Sequence, residues 1–208
     1  MIPVETLTVF IAASVVLALS PGPDNIFVLM QSALYGRMAG VLVTLGLCTG
    51  VLVHTAAVAF GVAAIVATSA TAFTALKILG ASYLLYLAWG AWRAGPTALN
   101  DDGTGRLPGS RLYLRGIVMN ATNPKVAIFF LAFLPQFVDP ARGSIPQQVL
   151  LLGAVFMLVA LVMFCSFALA AGYLGDWLRR SSRAQIALNR FAAVVFVALA
   201  LRLVTAER

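Results

Sequence analysis

Apolar residues run along the chain in six long segments, at roughly 3–35, 38–67, 71–93, 112–137, 147–175 and 185–204. Each has the length of a membrane-crossing helix, because about 20 apolar residues span the ~30 Å hydrocarbon core of a bilayer. Strand-like alternation of apolar and polar positions is absent, so a membrane barrel is not expected. Small and aromatic residues recur within the segments, as helices packed side by side require. Two of the six are interrupted. Ser20-Pro21-Gly22-Pro23-Asp24-Asn25 breaks the first, and Asn120-Ala121-Thr122-Asn123-Pro124-Lys125 breaks the fourth.

One polar gap is long: AGPTALNDDGTGRLPGS, residues 94–110. Its Gly, Pro, Asp and Ser content reads as a flexible loop. It separates a half at about 1–93 from a half at about 111–208, with three spans in each. Three is odd, so the halves cross the membrane in opposite senses, the topology of an inverted repeat. The expected fold is an all-α membrane protein with a single transmembrane domain over 1–208. Six transmembrane helices form two inverted three-helix repeats, and the first helix of each repeat is broken.

Composition agrees. The chain is 62% hydrophobic and 10% charged, whereas a soluble domain carries about 25% charged residues. Such a chain cannot cover itself with polar surface. The opening stretch, MIPVETL, lacks a basic n-region and carries Glu5, so a cleavable signal peptide is not expected. The formal net charge is +7, and twelve of the 14 basic residues are arginine. They fall mostly in the gaps: Arg37 in the first, Arg93, Arg106, Arg111 and Arg115 around the third, Arg179, Arg180 and Arg183 in the fifth. The second gap, around Thr68–Thr71, is uncharged and the fourth holds only Arg142. The positive-inside rule then puts the first, third and fifth gaps, and so the linker 94–110, in the cytoplasm. Both termini fall on the periplasmic side, with Arg202 and Arg208 weighing mildly against this. No aromatic-interleaved basic stripe is present, so nucleic acid is not an expected partner.

The chemistry lies at the two breaks. Pro23 and Pro124 each suit the first position of a new helix, where the missing N–H is no loss. Gly22 or Ser20, and Asn123, are suitable caps. Each break thus opens a half-helix whose unpaired N–H groups and positive dipole end face the interior. Asp24 is 13 residues from Arg37 and Lys125 is 10 from Arg115, or ~20 Å and ~15 Å at ~1.5 Å per residue. Both charges therefore sit near the midplane, where a charge costs at least ~2.5–3.5 kcal/mol. Asp24 is comfortable at a helix start. Lys125 is not, and should need Asp24 or a bound carboxylate as partner.

Two converging helix N-termini attract a carboxylate, and a carboxylate side chain attracts an ammonium, so the site suits a zwitterion. Asp24, Asn25, Asn123, Lys125 and Tyr83 are the candidate substrate-binding residues; Pro21, Gly22, Pro23 and Pro124 make the breaks. Asp24 and His54 are the candidates for proton coupling, since a carboxyl in a dry site responds to its surroundings. The plainer alternative is that the prolines only kink helices and the two charges only hold the halves together.

Further features accompany these motifs. Gly36 and Gly40 follow the first break; Gly46, Gly50 and Gly61 mark the second span; Lys77-Ile78-Leu79-Gly80-Ala81-Ser82-Tyr83-Leu84-Leu85-Tyr86-Leu87 lies in the third. Phe129-Phe130 and Leu134-Pro135-Gln136-Phe137 follow the second break. With SPGPDN and Asn123-Pro124-Lys125, in this order and spacing, the chain resembles the LysE/RhtB family of amino-acid exporters (LysE-type translocators) over nearly its whole length. The resemblance implies six helices in the bacterial inner membrane and export of amino acids or similar metabolites driven by the proton gradient. Expected partners are an amino acid, protons and the lipid bilayer, with no cofactor and no metal.

His54, the single histidine, shares a helical face with Gly46, Gly50, Ala57 and Gly61. It reads as an interhelical hydrogen bond or as part of a proton path. Lys77 and Arg190 lie near span ends, where long cationic side chains reach the interface. Tyr83 and Tyr86 line a pathway or fill the core, and Asn120, like Asn25 and Asn123, satisfies backbone freed at a break or touches substrate. The glycine-rich faces also fit a homodimer.

Three rival functions fit the sequence less well. An exporter of a metal ion or cationic drug has no use for a midplane lysine. A thiol–disulfide electron carrier would use Cys48 and Cys165, but no Cys-x-x-Cys is present. An intramembrane hydrolase lacks a nucleophile beside a base, so an enzyme is not expected.

Overall fold

The computed structural model of the chain describes residues 2–20, 22–62, 70–93, 95 and 107–205. Among these, secondary structure is entirely helical. The first apolar segment forms α1 (Val4–Leu19) and α2 (Pro23–Tyr35), bent by 59° at the break. Gly36, at φ 92°, turns the chain into α3 (Arg37–Ala57). Such a φ is open to glycine without a Cβ penalty. A π-helical turn, Val58–Val62, follows. Helix α4 covers Ala70–Arg93. The fourth segment forms α5 (Gly109–Ala121) and α6 (Pro124–Ile128), then a π turn (Phe129–Phe133) and a 3-10 turn (Leu134–Phe137). Here the bend is 48°. Helix α7 (Ile145–Arg180) is the longest at 36 residues, and α8 (Ser182–Thr205) closes the described chain.

By length and apolarity, the stretches Arg37–Gly61 and Ile145–Ala171 can each cross a membrane, and so can the two bent pairs if each is one span. Most of the expected linker, and all of the expected second gap but Ala70 and Thr71, lie outside the described residues. The short connection before α7 is firmly tied. Asp139 caps a 3-10 turn, pairs with Arg142 at 2.9 Å, and exchanges two hydrogen bonds with Gln148, at 3.1 and 2.8 Å.

The interior and exterior reverse the pattern of a soluble protein. Met38, Phe60, Leu158 and Leu201 are each more than 60% exposed, whereas Asp24, Asn25, Gln31, His54, Asn120, Asn123 and Lys125 are buried. An apolar exterior of this kind belongs in lipid, and it encloses these costly polar groups. Glycines let α3 and α5 approach to backbone distance. A Cβ on Gly46 would strike the carbonyl of Tyr113, and one on Gly116 the carbonyl of Val43. This is small-residue packing, which lets dispersion replace the hydrophobic effect that lipid does not supply. The expected glycine face ends early. Gly61 has nothing within 4 Å among the described residues, and Ala57, which precedes the π turn at 58–62, is already exposed. A cluster of rings holds the stretch after the second break: Phe129 and Phe133 stack 5.0 Å apart, Phe130 meets Phe156 at 5.0 Å, and Phe137 meets Phe10 at 5.2 Å.

Candidate functional site

The site is built from two interrupted helices. At the first break the N–H of Ser20 closes α1 on the carbonyl of Val16 at 2.8 Å. Gly22, extended and without a capping side chain, serves as the N-cap, and Pro23 opens α2. Asp24 is thereby in the first turn of α2, 2% exposed. Asn25 turns back and donates through Nδ2 to the carbonyl of Ala18, satisfying one acceptor freed by the break. At the second break Asn123 is the N-cap: its Oδ1 accepts from the backbone N–H of Lys125 at 3.0 Å, and Pro124 opens α6. Both helix starts thus have the proline and cap that the sequence predicts. Pro21 lies outside the described residues.

The two breaks meet. Asn120, from the end of α5, donates through Nδ2 to Asp24 Oδ2 at 3.3 Å. Asn123 lies close enough to act on the same carboxylate, although its Nδ2 stands outside hydrogen-bonding geometry. Lys125 corrects the expected pairing. Its Nζ donates to the carbonyls of Leu17, at 3.2 Å, and Ser20, at 3.0 Å. The ammonium lies against Gly22, where a Cβ would sit 3.0 Å from Nζ. Among the described residues the sole ion pair within 4.0 Å is Arg142–Asp139, so Asp24 and Lys125 are neighbours without direct contact. The reason is electrostatic. The last carbonyls of α1 have no helical donor and form the negative end of its dipole. That end receives the cation that the start of α6 disfavours.

His54 joins the second break from α3. Its Nε2 lies 2.9 Å from the carbonyl oxygen of Asn120, and its ring lies 5.8 Å from that of Phe130. A carbonyl only accepts, so Nε2 carries the proton in this contact. This is an interhelical hydrogen bond between α3 and α5. It also reaches Asp24 indirectly, since the same Asn120 donates to that carboxylate.

Asp24, Asn120 and Lys125 wall a buried cavity of ≈ 20 Å³, together with apolar residues that include Leu47, Val51, Phe156 and Phe164. That volume holds about one water. An amino acid is far larger, so admitting one requires the helices around the breaks to separate.

The remaining candidates stand apart. The side chains of Tyr83 and Lys77 lie outside the described residues, and Tyr86 is 61% exposed, away from the cavity. The guanidinium of Arg190 lies 5.5 Å from the ring centre of Trp92, as a side chain near a span end can. Cys48 and Cys165 are free thiols. Gln31 is not among the residues that sequence reasoning singles out, yet it is 1% exposed and its Oε1 has no partner among the described residues. The available signal was an amide seven residues after Asp24, on the same helical face of an apolar run.

Apolar helices, two of them broken, that bring buried charges and amides together define a helical membrane protein with a polar interior site. The comparisons make this particular: residues 15–207 match the LysE type translocator family, and the chain belongs to it. It is 32% identical over 199 residues to a homoserine/homoserine lactone efflux protein of Salmonella typhimurium, covering 95% of each chain. It is 28% identical over 200 residues to a leucine efflux protein of an Enterobacter species, covering 93% of this chain and 92% of the relative. It is also 32% identical to a membrane protein of Vibrio cholerae, covering 95% of this chain and 96% of the relative. No solved structure matches. The family and the two efflux proteins bear transporter names, not enzyme names.

Proposed function

We propose that this protein exports amino acids or amino-acid-like metabolites across the bacterial inner membrane, in exchange for protons. The observation that carries the reading is the meeting of two helix breaks, which buries Asp24, Asn120 and Lys125 around one cavity. Buried ionisable groups within an apolar bundle are costly and mark a substrate or ion path. The efflux names of the relatives point to the same substrate class.

In this reading the chain is one transporter domain over 1–208, with inverted three-helix repeats at about 1–93 and 111–208 joined by the cytoplasmic linker 94–110. Both termini are periplasmic. The repeats rock about the shared site, exposing it to each side in turn. Asp24, Asn25, Asn123, Lys125 and Tyr83 contact substrate. Asp24 carries the proton: binding and release of substrate change its surroundings and hence its hold on the proton. His54 acts on it through Asn120. Its Nε2 holds the backbone carbonyl of Asn120, whose side-chain amide donates to Asp24.

Counterflow in proteoliposomes against a panel of amino acids tests the proposal. Exchange of at least one amino acid is expected. Asp24→Asn should abolish dependence on a pH gradient, and Lys125→Ala should reduce exchange by more than about tenfold. Exchange of a metal ion or cationic drug, with no amino acid exchanged, overturns the reading.

A further inference from the structure

Away from the buried site, the end of α4 carries an aromatic stripe. Tyr86, Trp89 and Trp92 recur at three-residue spacing, and they are 61%, 58% and 57% exposed. Residues three apart are neighbours on a helix surface. Tryptophan and tyrosine near a span end sit at headgroup depth, where an apolar ring and a polar tip both find suitable surroundings.

Two cations lie on this stripe. Arg93 places its guanidinium carbon 4.7 Å from the centre of the Trp89 ring. Arg190 reaches Trp92 from α8, at 5.5 Å. A cation near an indole face is held by the quadrupole of the ring. Neighbouring rings of α4 thus gather one guanidinium from each half of the chain. Both arginines are exposed, and among the described residues neither has a carboxylate within 4.0 Å. Like charges gathered in this way repel, and an uncharged ring does not neutralise them. An anion would.

The setting selects the anion. The rings are apolar and face outward at the end of a span, where the surroundings are lipid headgroups and the upper acyl chains. In the proposed topology this end is cytoplasmic, because Arg93 directly precedes the linker. A guanidinium matches a phosphate through parallel N–H···O bonds, and basic pockets between spans on that side bind anionic headgroups. A choline phospholipid carries the same phosphate with a cation beside it, which the arginines repel.

We infer that Arg93 and Arg190, on the platform of Trp89 and Trp92, form a binding site for the headgroup of an anionic phospholipid. The phosphate lies between the two guanidiniums, and the acyl chains follow the stripe toward Tyr86. The lipid clasps α8 to α4 at this end. This site is separate from the cavity at Asp24, and it does not depend on what the protein exports.

Tryptophan fluorescence tests the site, because bromine on an acyl chain quenches an indole that it touches. Trp177→Phe leaves Trp89 and Trp92 as the only tryptophans of the chain. This variant is placed in phosphatidylcholine vesicles that contain a minor fraction of either brominated phosphatidylglycerol or brominated phosphatidylcholine. At equal fractions, the glycerol lipid should quench about threefold more strongly, since nearby arginines concentrate anionic headgroups. Adding Arg93→Gln and Arg190→Gln should make the two lipids equal, with helix content unchanged by circular dichroism. Arg37→Gln, which removes an exposed arginine at the start of α3, should leave the preference intact. Millimolar glycerol phosphate should not reduce it, because a soluble anion has no chains to lay on the stripe. Equal quenching by the two lipids before any arginine is changed overturns the inference, as does a preference that survives the double substitution. A preference lost equally with Arg37→Gln overturns it in favour of general surface charge. One removed by glycerol phosphate overturns it in favour of a site for a soluble anion.

Discussion

Lys125 shows how a residue's role depends on what lies across the interface from it. In its own helix it is a cation at the positive end of a dipole, which is unfavourable. In the folded chain its Nζ reaches the carbonyls of Leu17 and Ser20, at the negative end of another helix. Replacing it by methionine leaves those carbonyls buried without a donor and Asp24 without a nearby positive charge. Lys125→Met should therefore destabilise the protein by about 2 kcal/mol or more. The double variant with Asp24→Asn should recover part of that loss, because the remaining buried charge is gone. Unfolding in detergent micelles measures both. Strict additivity of the two single effects would show that the charges do not influence one another.

At the scale of elements, the breaks and the glycine crossing act together. The breaks free backbone groups that neighbouring helices then satisfy, with Lys125 serving α1 and His54 serving the end of α5. The crossing of α3 and α5 brings those neighbours close enough. A Cβ on Gly50 would meet Asn120 Cβ at 2.7 Å and its Oδ1 at 3.1 Å. Gly46→Ala should cost about 1–3 kcal/mol, because its Cβ meets backbone that cannot step aside. Gly50→Ala should shift Asn120 and lower transport. Gly61→Ala should stay within about 0.5 kcal/mol of wild type, since nothing described lies within 4 Å of it. Thermal unfolding and transport of the three variants give the comparison. Helix starts were legible in the sequence because proline, glycine and asparagine act locally. The end of the glycine face was not: Ala57 is spaced to continue it yet is exposed, because burial depends on which helix lies opposite.

For the whole molecule, the proposed topology places both termini in the periplasm and the linker in the cytoplasm. In a background with Cys48 and Cys165 replaced, a cysteine introduced by Ile2→Cys should react with a membrane-impermeant thiol reagent added to intact cells. One introduced by Asn100→Cys should react only after the cells are opened. The reverse pattern would invert the assignment, and the arginine distribution would then not orient the chain as the positive-inside rule predicts.

By itself the sequence determined that the chain is helical and apolar, where its two helices break, and that Asp24 and Lys125 are buried. These follow from local properties: the length of apolar runs, the fixed φ of proline, and the cost of exposing polar backbone to lipid. Tertiary structure alone decided which groups each charge meets. Lys125 turns to the end of α1, Asn120 links Asp24 to His54, and Gln31 joins the buried polar set. Those partners lie up to 108 residues apart in the chain. Their meeting depends on how α1, α3 and α5 cross, and short-range electrostatics responds to that geometry and not to sequence distance.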